Sequence, residues 1–281
     1  MISWPWERRR QRRFIRELLR RDQQRATTRR VIASLTTLPD RIGNLEPTIR
    51  CLLEQSRPPD EIVLAIPDFS VRQQKSYGVP QYLNQFFPRL RILRCQRDWG
   101  PATKFIPVIQ EELAAGRGDT LILVVDDDRT YPGDALETYL YFHRQLPNAA
   151  LCFRGAAVRR HSRKSALEIF EGSKVRAPKA VAVMTGCGSY FIQPRFFDGQ
   201  LWNYGAAPSS AFYMDDIWIS GCLDRRGVEK YLIPTSEMMR DVPQQAGTMT
   251  LHDVPNGRLQ NNQEVIAFFQ DTWNVYSERA K

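Results

Sequence analysis

The chain is poor in soft metal ligands. Its 281 residues hold three His and five Cys, and no two Cys form a CxxC pair. The Cys, at 51, 95, 152, 187 and 222, are odd in number and widely spaced. A disulfide framework and a zinc site are therefore not expected, and reduced thiols in a cytosolic setting are the simplest reading. Long apolar runs are missing too. Runs such as Leu121–Val125 are one strand in length, against roughly 20 residues for a membrane-spanning helix. An integral membrane protein is not expected. Nor is a signal peptide, because the Arg-rich start has no apolar stretch behind it. There is no internal repeat and no low-complexity linker. What remains is 42% hydrophobic and 11% aromatic, enough to bury the core of one large domain and to exclude a wholly disordered chain.

The net charge of +9 is unevenly placed. Residues 1–30 hold eleven Arg against three acids (Glu7, Glu17, Asp22), which leaves about +1 for the other 251 residues. The basic balance thus describes one arm, and no specific nucleic-acid partner is expected. From Met1 to about Thr28 that arm reads as a helix. Phe14, Ile15, Leu18 and Leu19 fall at helical spacing, Arg fills the other positions, and Ile2, Trp4 and Trp6 come first. Such a helix suits an anionic membrane surface. It equally suits packing on the body or on a partner chain.

From Arg30 the pattern alternates. Strands are expected at Val31–Leu35, Glu61–Ile66, Leu90–Cys95 and Leu121–Val125, with helices at Asn44–Gln55, Thr103–Ala115 and Pro132–Leu146. This rhythm predicts an α/β fold, a mainly parallel sheet with helices on both sides. Further strands are expected at Ala149–Phe153, Ala180–Met184 and Tyr231–Ile233. A basic loop is expected at Arg159–Lys164, a helix from Asp215 to Leu223, and a capping segment at Glu264–Trp273.

Three constellations carry chemistry. The first is Val124-Val125-Asp126-Asp127-Asp128, three carboxylates fed by an apolar strand. Ligands of open α/β sheets bind outside the carboxyl ends of strands. Adjacent carboxylates need compensation by a cation or by basic side chains. Asp126 and Asp128 point the same way in extended chain, which suits Mg²⁺ or Mn²⁺ completed by water and phosphate oxygens. The competing reading is an acidic surface turn. The second is Met214-Asp215-Asp216-Ile217-Trp218, two carboxylates leading into a helix. One Asp suffices as an N-cap, and the other is free to act as a general base on a hydroxyl. The third is Asp98-Trp99-Gly100-Pro101-Ala102-Thr103-Lys104, a turn into a helix start where a cation and backbone N–H groups favour anions, or an ordinary turn with a surface Lys.

Together these pieces resemble a GT-A glycosyltransferase in the broad family-2 style. The matching text is Ala33–Arg41 after the first strand, Pro59–Ile62, the Asp98–Lys104 turn, and the Asp126–Asp128 cluster, which looks like a DXD signature. Thr185-Gly186-Cys187-Gly188 looks like the acceptor-side glycine loop and Asp215-Asp216 like the family's acidic pair. The likeness spans about residues 30–235. It implies a Rossmann-like GT-A domain over 30–281, with a nucleotide-binding half at 30–148 and an acceptor half at 149–281, behind a basic helix at 1–29.

The resemblance also implies roles. Thr36 and Arg41 would hold the nucleotide, with Lys104 near its base or diphosphate. Asp126 would contact ribose and help with the metal, Asp127 would belong to the same nucleotide site, and Asp128 would ligate the metal. Gly186 and Gly188 would let backbone approach sugar or acceptor, and Trp218 would line the acceptor pocket. Asp216 is favoured over Asp215 as the base, and His252 is the late candidate metal ligand. The implied reaction is metal-dependent, inverting transfer from a nucleotide-diphosphate-sugar to an acceptor hydroxyl. A glycan or lipid-linked acceptor would be used, as in envelope or surface glycan synthesis, in the cytoplasm or on the inner membrane face. The QxxRW-type motif of processive members is missing, which argues against polymer synthesis. Two other readings compete. One is a sugar nucleotidyltransferase, disfavoured because the loop Thr36–Arg41 lacks glycine. The other is a non-catalytic protein that binds anionic surfaces through the Arg-rich arm.

Overall fold

A computed structural model describes residues 5–22, 29–159, 167–244 and 255–277. Helices α1 to α6 span Pro5–Arg21, Glu46–Leu53, Ile106–Ala114, Ala135–Gln145, Asp215–Arg225 and Arg258–Phe268. Strands β1 to β5 are Val31–Leu35, Glu61–Pro67, Leu90–Cys95, Leu121–Val124 and Ala150–Cys152. Strands β6 and β7 are Arg154–Arg159 and Leu167–Glu171. Strands β8 to β12 are Lys179–Ala180, Val183–Met184, Tyr190–Ile192, Lys230–Leu232 and Tyr276–Ser277, and two separate two-residue ribbons pair Phe69–Ser70 with Lys75–Ser76 and Arg129–Thr130 with Arg240–Asp241.

Eight strands form one sheet in the order β8-β11-β5-β10-β4-β1-β2-β3. β3, β2, β1 and β4 run parallel. β10 lies antiparallel to both β4 and β5, and β11 returns parallel to β5. The inner strands β1, β2 and β4 are nearly apolar throughout because both faces are covered, whereas the edge strand β3 carries Arg91 and Arg94 and is only partly buried. Val31, Ala33 and Leu35 pack with Ile49 of α2 and Leu136 and Tyr139 of α4 on one face. Ile32, Ile122 and Val124 pack with Ile106 of α3 and Trp218 of α5 on the other. A smaller sheet, β7-β6-β9 with β12 beside β6, lies next to the second half.

Two expectations need correction. The run Ala180–Met184 is not one strand. Val181 N–H donates to Lys230 O, and Ala182 N–H donates to Ala156 O, so the chain passes there from the large sheet to the small one. The apolar stripe of α1 also does not face outward for membrane contact. Gln11, Ile15 and Leu19, four residues apart, are buried. Leu18 packs on the same core as α4, and Gln11 Nε2 donates to Gly172 O (3.3 Å) and Val175 O (3.1 Å). The Arg-rich side faces outward, with Arg13 82% exposed, and Trp6 in the first turn is exposed as well. Among the described residues no helix is long and apolar enough to cross a membrane.

Candidate active site

The topology brings the three constellations to one edge. Because β1 and β4 are parallel, the loops after Leu35 and Val124 emerge side by side, in register Ser34↔Val124. β10 is reversed, so its leading loop, Gly186–Ser189, arrives at that same edge, with Tyr190 opposite Val124. The first turn of α5 closes the fourth side. A pocket there is lined by Thr36, Arg41, Tyr77, Lys104 and the Asp126–Asp128 cluster.

Each carboxylate of the cluster meets a cation, and Asp127 and Asp128 share one. Asp126 Oδ1 meets Lys104 Nζ at 2.8 Å, and its backbone N–H donates to the Tyr131 hydroxyl at 2.8 Å. Asp127 accepts from Arg41 Nη2 at 2.6 Å and from Thr37 Oγ1 at 2.5 Å. Its carbonyl accepts from Thr48 Oγ1 at 2.9 Å. Asp128 meets the same Arg41 Nη2 at 2.8 Å and Arg129 Nε at 3.5 Å, and its side chain is 28% exposed. Burial raises the Asp127 carboxyl to about 6 against the opposing pull of Arg41. Burial also acts to raise Asp126, but Lys104 outweighs it and holds that carboxyl below its ordinary value. Asp127 thus works chiefly as the anchor that aims Arg41. The surface-turn reading does not describe this arrangement, because the cluster sits in a web of ion pairs.

Lys104 is no surface lysine, being 5% exposed. The Asp98 carboxylate accepts from the N–H groups of Val71 (2.8 Å) and Gly100 (2.6 Å), and Ser34 Oγ donates to Lys104 O at 2.6 Å. Gly100 has φ +59, and an added Cβ would lie 2.5 Å from Phe212 O, so glycine is required at this turn. The turn carries Lys104 inward, where Nζ also meets Asp215 Oδ2 at 2.9 Å. Burial alone would lower the Lys104 ammonium, yet Asp126 and Asp215 hold it well above its ordinary range.

The acidic pair does not cap its helix. Met214 is the N-cap residue, and no side chain caps that end. Asp215 points to Lys104, while Asp216 Oδ1 accepts from Gly186 N–H at 2.8 Å. Burial, then the charge of Asp215, raises the Asp216 carboxyl to about 7. The glycines of the loop serve the protein's own contacts. A Cβ on Gly186 would lie 2.7 Å from Lys104 Nζ, 2.9 Å from Asp216 Oδ1 and 3.4 Å from Asp126 Oδ1. A Cβ on Gly188 would lie 2.3 Å from the Arg154 Cβ. Lys104, Asp126 and Asp216 therefore converge on one point of backbone.

Trp218, expected to line an acceptor pocket, is instead a core residue. It is 2% exposed, donates from Nε1 to Leu201 O at 2.8 Å, and stacks on Tyr204 at 4.6 Å. His252 lies outside the described residues. Thr37, Thr48, Arg129 and Tyr131 were missed by sequence reasoning. Arg129, adjacent to the cluster, and Thr37, inside the loop Ala33–Arg41, carried a signal by position; Thr48 and Tyr131 carried none. Among the described residues no three His, Cys, Asp or Glu side chains form a metal-binding group. Asp126 and Asp128 are instead each engaged by a cation of the chain, Lys104 and Arg41.

The fold is of the GT-A type: a largely parallel, helix-flanked sheet with a reversed strand feeding a loop back to its carboxyl edge. It is similar to the 1–349 portion of S. aureus TarS. In complex with UDP-GlcNAc that structure gives a TM-score of 0.53 at 12% identity, and in complex with UDP 0.51 at 13%. Both alignments cover 89% of this chain and 68% of the other. A structure of 4-diphosphocytidyl-2C-methyl-D-erythritol synthase gives 0.46 at 13% identity, covering 78% and 96%. No protein-family model matches the chain, and no curated protein does so by sequence.

Proposed function

We propose that the protein is a nucleotide-sugar glycosyltransferase that moves a sugar from a nucleoside diphosphate to an acceptor hydroxyl, with inversion. One observation carries this reading: Lys104, Asp126 and Asp216, from three separate elements, meet around Gly186 at the strand-end edge. The shared fold with TarS, solved with UDP and UDP-GlcNAc, agrees with it.

The donor's diphosphate lies in the pocket lined by Thr36, Arg41 and Lys104, whose cations offset the charge that develops on the leaving group. Asp128, with Asp126, would hold Mn²⁺ or Mg²⁺, which would add Lewis-acid stabilisation of that charge. Asp216 accepts the proton of the acceptor hydroxyl. The hydroxyl oxygen bonds to the anomeric carbon from the face opposite the diphosphate, and the bond to the diphosphate oxygen breaks. A carboxylate raised to about 7 is well matched to such proton abstraction near neutral pH. Asp215, neutralised by Lys104, is left with an electrostatic role.

A screen of nucleotide-sugars with Mn²⁺ tests the proposal, reading nucleoside diphosphate release and thermal shift. The matching donor raises the melting temperature by mass action and releases diphosphate, and Asp128→Ala abolishes the release. If no nucleotide-sugar stabilised the protein or turned over, the proposal would fall.

A further inference from the structure

A second groove, of about 770 Å³, opens between α1 and the body. Its walls are α1, the turn after β7, and the segment Ser236–Arg240. Five basic side chains line it, Arg8, Arg10, Lys174, Arg176 and Arg240, against three acids. Two of those acids are already engaged. Glu237 meets Arg12 at 2.5 Å and Arg240 at 3.0 Å, and Glu171 meets Lys174 at 2.7 Å.

Arg10 and Arg176 differ from the others. Among the described residues neither has a carboxylate partner. The Arg176 guanidinium is held over the Phe14 ring of α1 at 4.6 Å. Partial burial, and then the positive charge of Arg10, push it below its ordinary value. Two guanidinium groups thus repel each other within one groove. Both line the same groove, so an anion seated in it would face two guanidinium groups, each able to make a charge-assisted, bidentate contact. The far wall also leads to the candidate active site. Arg240 and Asp241 pair with Thr130 and Arg129, and Val242 N–H donates to Asp128 O at 2.8 Å.

We propose that this groove is a second anion site, in which Arg10 and Arg176 clamp a phosphate group carried by a soluble phosphate ester or by a membrane lipid. The site is built by α1 docking on the body and does not depend on the transferase reading. The helix's outward face contributes diffuse attraction only.

The test uses the full chain in about 0.15 M salt, which screens diffuse charge. One arm titrates glycerol 3-phosphate by calorimetry. The other measures flotation with phosphatidylcholine vesicles, with and without phosphatidylglycerol. Binding is expected in at least one arm. It should weaken roughly tenfold or more in R10S/R176S, the loss expected for one charge-assisted contact. R9S/R13S removes equal charge outside the groove and should cost under about threefold. Binding in the soluble arm assigns a phosphate ester, and binding to charged vesicles alone assigns a lipid headgroup. Arg10→Ser alone serves if the double variant melts early. No binding in either arm, or equal losses in the two double variants, overturns the proposal.

Discussion

Removing the Lys104 ammonium is the sharpest test of how the site is held together. In Lys104→Met the stem is largely kept and only the charge is lost. Two carboxylates, Asp126 and Asp215, lie at 2.8 and 2.9 Å from Nζ in a buried setting. Each such contact is worth roughly 6 kcal/mol of Coulomb attraction at an effective dielectric near 20. Desolvation cancels part of that sum, and truncating one member of a buried ion pair costs about 3–5 kcal/mol. For a chain of this size that is roughly 6–20 °C in Tm. The loss should depend on pH. Asp216, raised to about 7, binds a proton in the folded state that the unfolded chain has released. Its contribution to stability is therefore present at acid pH and fades as pH rises through 7. Lys104→Met removes the charge that lowers Asp126 and Asp216, so the folded variant takes up protons more readily than the wild type and regains stability as pH falls. Urea unfolding at pH 8 and pH 5.5 should show the gap from wild type narrowing on acidification. A loss below about 1 kcal/mol at pH 8, or a gap that widens at acid pH, would refute the assignment of Lys104 as the site's internal counter-charge.

Asp216→Asn should lower transfer by about 10²–10⁴-fold while nucleoside diphosphate affinity stays near wild type. In the wild type, kcat/KM should fall about tenfold per pH unit below about 7 as the base is protonated; a flat profile would remove Asp216 from that role. Gly186→Ala should cost about 1–3 kcal/mol by overpacking, read by urea unfolding, and should depress donor turnover more than that loss explains. Trp218→Ala should destabilise by about 3–5 kcal/mol, and Trp218→Phe, if folded, should leave the acceptor KM unchanged.

Much of this arrangement was legible because its parts are local. Val31–Leu35 and Leu121–Val124 are runs of apolar residues, and the carboxylates behind the second are visible by position. The pairing that matters is not local. That Arg41 would reach Asp127, or Lys104 both Asp126 and Asp215, depends on which loops the sheet order brings together. In the second half Ala150–Cys152 and Lys230–Leu232 fall where strands were expected, Arg154–Arg159, Leu167–Glu171 and Tyr190–Ile192 were not foreseen, and the run Ala180–Met184 misled because the chain changes sheet between Lys179–Ala180 and Val183–Met184. Trp218 had a readable clue that was passed over. Two residues along a helix is roughly 200° around it, so an aromatic at 218 faces away from Asp216. The stripe on α1 was recognised, but amphipathicity alone does not say whether water, lipid or protein meets the apolar side.

Among the described residues, the strand Tyr190–Ile192 alone joins the two halves of the large sheet. It is three residues long and opens directly from the loop that holds Gly186 against Asp216. The separation between the carboxylate that would take the proton and those that would face the donor is thus set by one short seam. Slippage there would move the Gly186 backbone against Asp126 and Asp216, inside a core that both halves share.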